Sequence, residues 1–167
     1  GEGKALQLET GTAHDWPGID LPAPPGGWDL SRKDHVAMDV VNRGKHKVTV
    51  CLRVDNPGAN GKKHCNTGTL DLAPGERGVL TVPFARKPPG YRDVKIIGMR
   101  AGPPRAPQGA LIDPANVVNL VVFVPRPKAG HRFMIDTIRA GGSFTPPPKD
   151  ETAADFFPFI DELGQYI

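Results

Sequence analysis

Period-two alternation of apolar and polar residues, broken at short intervals by glycine and proline, is the feature that most restricts how this chain can fold. From His35 to Val41, Val36, Met38 and Val40 fall on one face and His35, Ala37 and Asp39 on the other. From Val48 to Val54, Val48, Val50, Leu52 and Val54 point one way while Thr49, Cys51 and Arg53 point the other. Successive strand side chains take opposite faces, so each stretch buries one side against a core. Lys4 to Glu9, Thr67 to Leu72, Gly78 to Phe84, Val94 to Arg100, Asn116 to Pro125 and His131 to Arg139 extend the set to about eight strands. The turns at Asn42-Arg43-Gly44-Lys45 and Ala73-Pro74-Gly75-Glu76 separate them, and the three strands between Val48 and Phe84 are expected to form a meander. One helical turn is expected at Asp113-Pro114-Ala115-Asn116, with aspartate as cap and proline at the first helical position. With no helices alternating between strands, a parallel α/β sheet is excluded. The expected fold is all-β, an antiparallel two-sheet β-sandwich of jelly-roll type, with the first and last strands side by side.

The 20 Gly and 19 Pro among 167 residues are spread along the chain, as a fold rich in turns requires. A net charge of +3, from 21 basic and 18 acidic residues, is too small and dispersed to form a nucleic-acid footprint. No run of apolar residues is long enough to span a membrane, and no signal segment opens the chain, although a secreted protein whose signal had been removed would look the same. Composition shifts after Gly141. Residues 142–155, with Pro146-Pro147-Pro148, read as a semi-rigid linker that separates a domain over residues 1–141 from an aromatic stretch over residues 156–167. Twelve residues cannot fold alone, so this stretch either docks on the domain or begins a neighbouring one.

Phe157-Pro158-Phe159-Ile160-Asp161, followed by Gly164-Gln165-Tyr166, resembles the segment that opens the catalytic barrel of β-agarases of glycoside hydrolase family 50. Trp28-Asp29-Leu30-Ser31, Arg53-Val54-Asp55-Asn56-Pro57-Gly58, Cys65-Asn66-Thr67-Gly68 and Ile135-Asp136-Thr137-Ile138-Arg139 resemble the N-terminal module of such enzymes. That module is similar to galactose-binding-like jelly rolls among carbohydrate-binding modules. The resemblance implies a secreted, monomeric, non-catalytic module that holds a red-algal galactan of the agarose or porphyran type for a covalently attached hydrolase. The chain ends before any barrel strand that could supply the carboxylate pair that glycoside hydrolysis needs. The competing expectation is a structural domain that packs on the barrel without glycan affinity of its own. A stand-alone enzyme is not supported, because Ser31 and Ser143, the only serines, lie outside any nucleophile motif. The five histidines and two cysteines lack zinc-site spacing.

The loop from Asp55 to Asn66 holds three Asn, two Lys and a His between two strands. Amides, carboxylates and arginine forks match the paired hydroxyls of sugars. Arg53, Asp55, Asn56, Lys63, His64 and Asn66 are therefore the polar candidates for a glycan site, against a solvated hairpin whose Asn and Gly merely make turns. Lys62, Lys63, Arg53 and Arg92 would suit sulfate esters. Sugar faces also pack on aromatic rings, for which Trp16 and Tyr91 are the candidates, whereas Trp28 reads as a lid over the core. Jelly rolls of the kind resembled carry a structural calcium near the paired terminal strands, where Glu9 and Asp136 are the acids, with Glu2 or Asp29 as a third ligand; an ordinary salt bridge is the plain alternative. If the hairpin folds near Gly58 to Asn60, Cys51 and Cys65 come opposite each other and could form a disulfide, which a slip in register would prevent.

Overall fold

The computed structural model describes residues 5–84 and 112–145. Among the described residues there are eight strands: β1 (Leu6–Thr10), β2 (Gly18–Pro22), β3 (His35–Asn42), β4 (Val48–Asp55), β5 (Cys65–Leu72), β6 (Arg77–Pro83), β7 (Asn119–Phe123) and β8 (His131–Gly141). They form two four-stranded sheets, ordered β1-β8-β3-β6 and β2-β7-β4-β5. All the pairings are antiparallel. Two interlocked Greek keys give this order, so the fold is the jelly roll that the alternation predicts. The first and last strands do pair, from Leu6 opposite Ile135 to Thr10 opposite His131. The helical turn is present as a single 3-10 turn at Pro114–Asn116, and Asp113 caps it by accepting from the Ala115 amide.

The inward faces supply one core. Val36, Met38 and Val40 of β3 meet Val48, Val50, Leu52 and Val54 of β4, with Leu80, Val82, Val122, Phe133 and Ile135 filling between. Trp28 packs against this cluster from the β2–β3 connection, and its backbone bridges to Val117, in agreement with a core lid. Asn42 is fully buried at the end of β3. Its amide donates to the carbonyls of His46 and Leu72, and its oxygen accepts from the Gly44 amide, so one side chain ties the β3–β4 turn to the far end of β5.

One expectation about strands is revised, one strand was not expected, and one expectation lies outside the described residues. The meander does not form: β4 and β5 make a hairpin, but β6 crosses to the other sheet and pairs with β3. The turn before β6 is captured by β3, through Gly75 N–H donating to Asn42 O and Asn42 N–H donating to Glu76 O. The short strand β2 carries no strong alternation because Gly18 and Pro22 bound it, and its register comes from β7. The strand expected at Val94 to Arg100 lies outside the described residues, as do most of the linker and the aromatic stretch after it.

Candidate functional site

The solvent face of the β2-β7-β4-β5 sheet collects residues from four strands. Parity places Asp20 of β2, Asn119, Val121 and Phe123 of β7, Thr49, Cys51, Arg53 and Asp55 of β4, and Thr67, Thr69 and Asp71 of β5 on it. At one end lies a polar cluster. The Arg53 guanidinium forks onto Asp55, with Nε 2.7 Å and Nη2 2.8 Å from the two carboxylate oxygens. The hydrogen bonds to Asp55 hold the Arg53 cation firmly protonated. Asp55 is 4% exposed, so the pair is anchored in the sheet and not merely laid on it. Next to it, Asn119 Nδ2 donates to Asp20 Oδ1 over 3.0 Å.

At the other end Trp16 stands 56% exposed, its ring edge-on to Phe123 with centroids 5.8 Å apart. Gly18, opposite Phe123 in the register, leaves the ring uncovered by a neighbouring side chain. The Arg126 guanidinium lies over the Trp16 ring at 5.5 Å. Phe123 stands opposite Cys51, two positions from Arg53 and four from Asp55 along β4, so about 7 to 13 Å of strand separates the platform from the polar cluster. Stacking surface, threonine hydroxyls and an arginine–carboxylate pair thus lie along one face.

Of the residues expected from sequence, Arg53, Asp55 and Trp16 are brought onto this face. Lys63 and His64 stand exposed on the β4–β5 loop at the Arg53 end, where Gly61 folds back against the guanidinium. Asn56 and Asn66 are not on it. Asn56 is buried, donates to the carbonyls of Asp113 and Asn116, and accepts from the Asp113 amide, so its hydrogen-bonding capacity goes to fixing the 3-10 turn. Asn66 occupies an inward position of β5, donates to Pro83 O and accepts from the Thr67 amide. Tyr91 and Arg92 lie outside the described residues.

The disulfide is corrected. The hairpin centres on Asn60, pairing Cys51 with Thr69 and Cys65 with Asp55. The thiols therefore stand four strand positions apart, about 13 Å, far beyond bonding reach. Both cysteines are free and buried. Burial, reinforced by Asp71, pushes the Cys51 thiol up to about 11, and burial followed by Asp55 raises that of Cys65.

Glu9 and Asp136 do not fit calcium as a ligand pair. Ile135 faces Leu6 and Arg132 faces Glu9, which sets Asp136 four positions from Glu9 along the terminal strands. Glu9 is ion-paired to Arg132 at 2.7 Å, and Asp136 accepts from the Thr137 hydroxyl. Asp29 accepts from the Ser31 side chain and then its amide, which together hold its carboxyl below the ordinary range, and Glu2 lies outside the described residues. No group of three or more His, Cys, Asp or Glu side chains gathers at metal-holding distance among the described residues.

Asp20, Asn119, Phe123 and Thr49 escape the sequence reading. Phe123 and Asn119 share a parity within NVVNLVVFVP, but an apolar run does not reveal which parity faces water.

No protein-family model matches the chain, and no curated protein does. Among solved structures it is similar to an exo-beta-agarase, with a TM-score of 0.61 and 20% identity over 89% of this chain and 21% of that one. It is also similar to an agarase, AgWH50C (TM-score 0.59, 15% identity, 84% of this chain and 22% of that one) and to PfGH50B (0.53, 15%, 84% and 21%). The chain thus spans about a fifth of each of them. At these identities the likeness is one of fold: a jelly-roll sandwich of this kind occurs as a segment of larger agarase chains.

Proposed function

We propose that this domain is a non-catalytic carbohydrate-binding module that holds a red-algal galactan on the solvent face of the β2-β7-β4-β5 sheet, for a secreted glycoside hydrolase to which it is attached. One observation carries the reading: a single face joins an exposed aromatic platform, Trp16 on Phe123, to the fixed polar cluster of Arg53, Asp55, Asp20 and Asn119. A pyranose offers an apolar C–H face and a rim of hydroxyls, and a site for it needs both kinds of surface within the length of a short oligosaccharide. Lys63 and His64 border the Arg53 end. The similarity of fold to segments of agarase chains favours a galactan as the ligand class.

Affinity electrophoresis in agarose tests this. The chain is expected to be retarded, and Trp16→Ala to lose about tenfold in affinity, since one stacked ring contributes on the order of 1–2 kcal/mol. Equal retardation of chain and variant would sink the platform.

A second reading, a structural domain that packs on a catalytic barrel, is favoured by one feature. A cavity of about 300 Å³ opens between the sheets beside β8, lined by Leu21, Trp28, Leu30, Val36, Leu120 and Ile138. If no galactan retards the chain at any concentration, this reading takes precedence.

A further inference from the structure

Beyond the Trp16 end of the sheet face, the β3–β4 and β7–β8 loops enclose a second cavity of about 320 Å³. Lys47 and His46 reach it from one loop, Arg126 and Lys128 from the other, and His131 from the start of β8; Thr49 connects it to the sheet. Five cationic or protonatable side chains thus meet around one hollow. Among the described residues, Lys47 alone of the five has a carboxylate partner, Asp71 at 2.8 Å on the sheet side. Arg126 and Lys128 make no ion pair with any described residue.

Two further observations mark the hollow as more than a solvated loop pair. Arg126 holds a left-handed backbone, φ 41°, which a non-glycine residue adopts at a cost. Its guanidinium lies over the Trp16 ring, a contact that uses the flat face of the fork and none of its N–H donors. His131 Nδ1 is shielded from solvent and makes no hydrogen bond, and burial together with the neighbouring His46 pushes the imidazole below its ordinary value. A shielded ring nitrogen without a hydrogen-bond partner is costly unless a ligand supplies one.

We propose that this pocket is a subsite for a sulfate ester carried by the glycan whose sugar ring stacks on Trp16. A sulfate group presents three oxygens to donors arriving from different sides, which suits an arginine fork, an ammonium and two imidazoles better than a planar carboxylate would. The proposal rests on the glycan-binding reading for the ring, but the anion pocket can be tested without it. It also relocates charge recognition: Lys62 and Lys63 lie at the Arg53 end, away from the hollow.

The direct test compares sulfated carrageenan, neutral agarose and polygalacturonate in affinity electrophoresis of the intact chain. The chain is expected to bind carrageenan at least about fivefold more tightly than either of the others. The double variant His46→Ala, Lys128→Ala should lose about tenfold for carrageenan and less than about twofold for agarose, as removal of an imidazole donor and an ammonium predicts. Arg77→Ala, on the outer face of the other sheet, should change neither. Equal losses for Arg77→Ala and the double variant would reduce the effect to bulk charge and overturn the proposal, and equal affinity for polygalacturonate would overturn the sulfate assignment. If no polysaccharide binds, the glycan reading fails, and titration of potassium sulfate followed by NMR of the His46 and His131 imidazoles decides the pocket. Saturable shifts that the double variant abolishes uphold it; their absence overturns it.

Discussion

At the β5/β6 edge the two sheets meet almost backbone to backbone, whereas along the outer side of β8 they part around a cavity. Gly68 and Gly78 make the closed edge possible. A Cβ at Gly68 would stand 2.6 Å from Thr81 O, and one at Gly78 would press on Leu70 and Leu72 at 3.1 and 3.2 Å. At the open edge, among the described residues, β1 pairs with β8 as far as Ile135. A bulge follows, where Thr137 adopts φ 45° and the register with β3 shifts between Ala37 and Asp39. The extra residue turns the last third of β8 past the end of β1 and leaves Ile138 36% exposed beside the cavity. Close packing therefore depends on absent side chains at one edge, and the cavity on an inserted residue at the other.

The largest effect expected from this contrast is at the closed edge. Gly68→Ala should cost about 1–3 kcal/mol in denaturant unfolding, because backbone, not a yielding side chain, blocks the new methyl group. Ala140→Val, which lines the open cavity, should change stability by less than about 1 kcal/mol. Equal costs would show that the two edges are packed alike.

The loops over the open edge are pinned by Asn56, which holds the turn next to Val117 and hence the Trp28 bridge. Asn56→Ala is expected to destabilise by about 1–3 kcal/mol, since the Asn116 carbonyl and the Asp113 amide lose their Asn56 partner while Asp113 O keeps only the Asn116 amide. Glycan affinity measured well below the melting temperature should be unaltered, and a loss of affinity in a fully folded variant would return Asn56 to the binding site.

Acidification probes the half of β8 that β1 does cover. The folded state binds a proton at His131 less readily than the unfolded chain, whose imidazole titrates near 6.5. As pH falls below about 6.5 the unfolded state takes up the proton first, so stability drops there and is unaffected above. His131→Gln should flatten that part of the stability profile.

The smallest effect is expected from reduction. With Cys51 and Cys65 free and four strand positions apart, reductant should leave both intact mass and melting temperature unchanged. A gain of two hydrogens on reduction would place a disulfide where the register forbids one.

The legible parts of the molecule are those where local pattern and burial agree. β3 and β4 each put a continuous apolar set on one parity, and the Asp113 cap with Pro114 announces its turn without tertiary help. β2 is too short and too bounded by glycine and proline for its alternation to stand out, and Phe123 sits in an apolar run that hides its outward parity. Asn56 and Asn66 show the opposite difficulty. In sequence they are polar residues beside Arg53, as a sugar site would have them, but amides satisfy buried backbone groups as readily as they bind hydroxyls.

By itself the sequence determined that this protein is an antiparallel β-sandwich, since period-two alternation fixes which face of each strand is buried. It also placed Arg53 and Asp55 on the strand face opposite the core, and Trp16 in a loop. Tertiary structure alone decided that β6 leaves the β4–β5 hairpin for the other sheet, that Cys51 and Cys65 miss each other, and that Trp16 and Arg53 share one face. The physical reason is that strand parity is a local property of the chain, whereas the partner of a strand is chosen by which distant edge completes its hydrogen bonds and its half of the core.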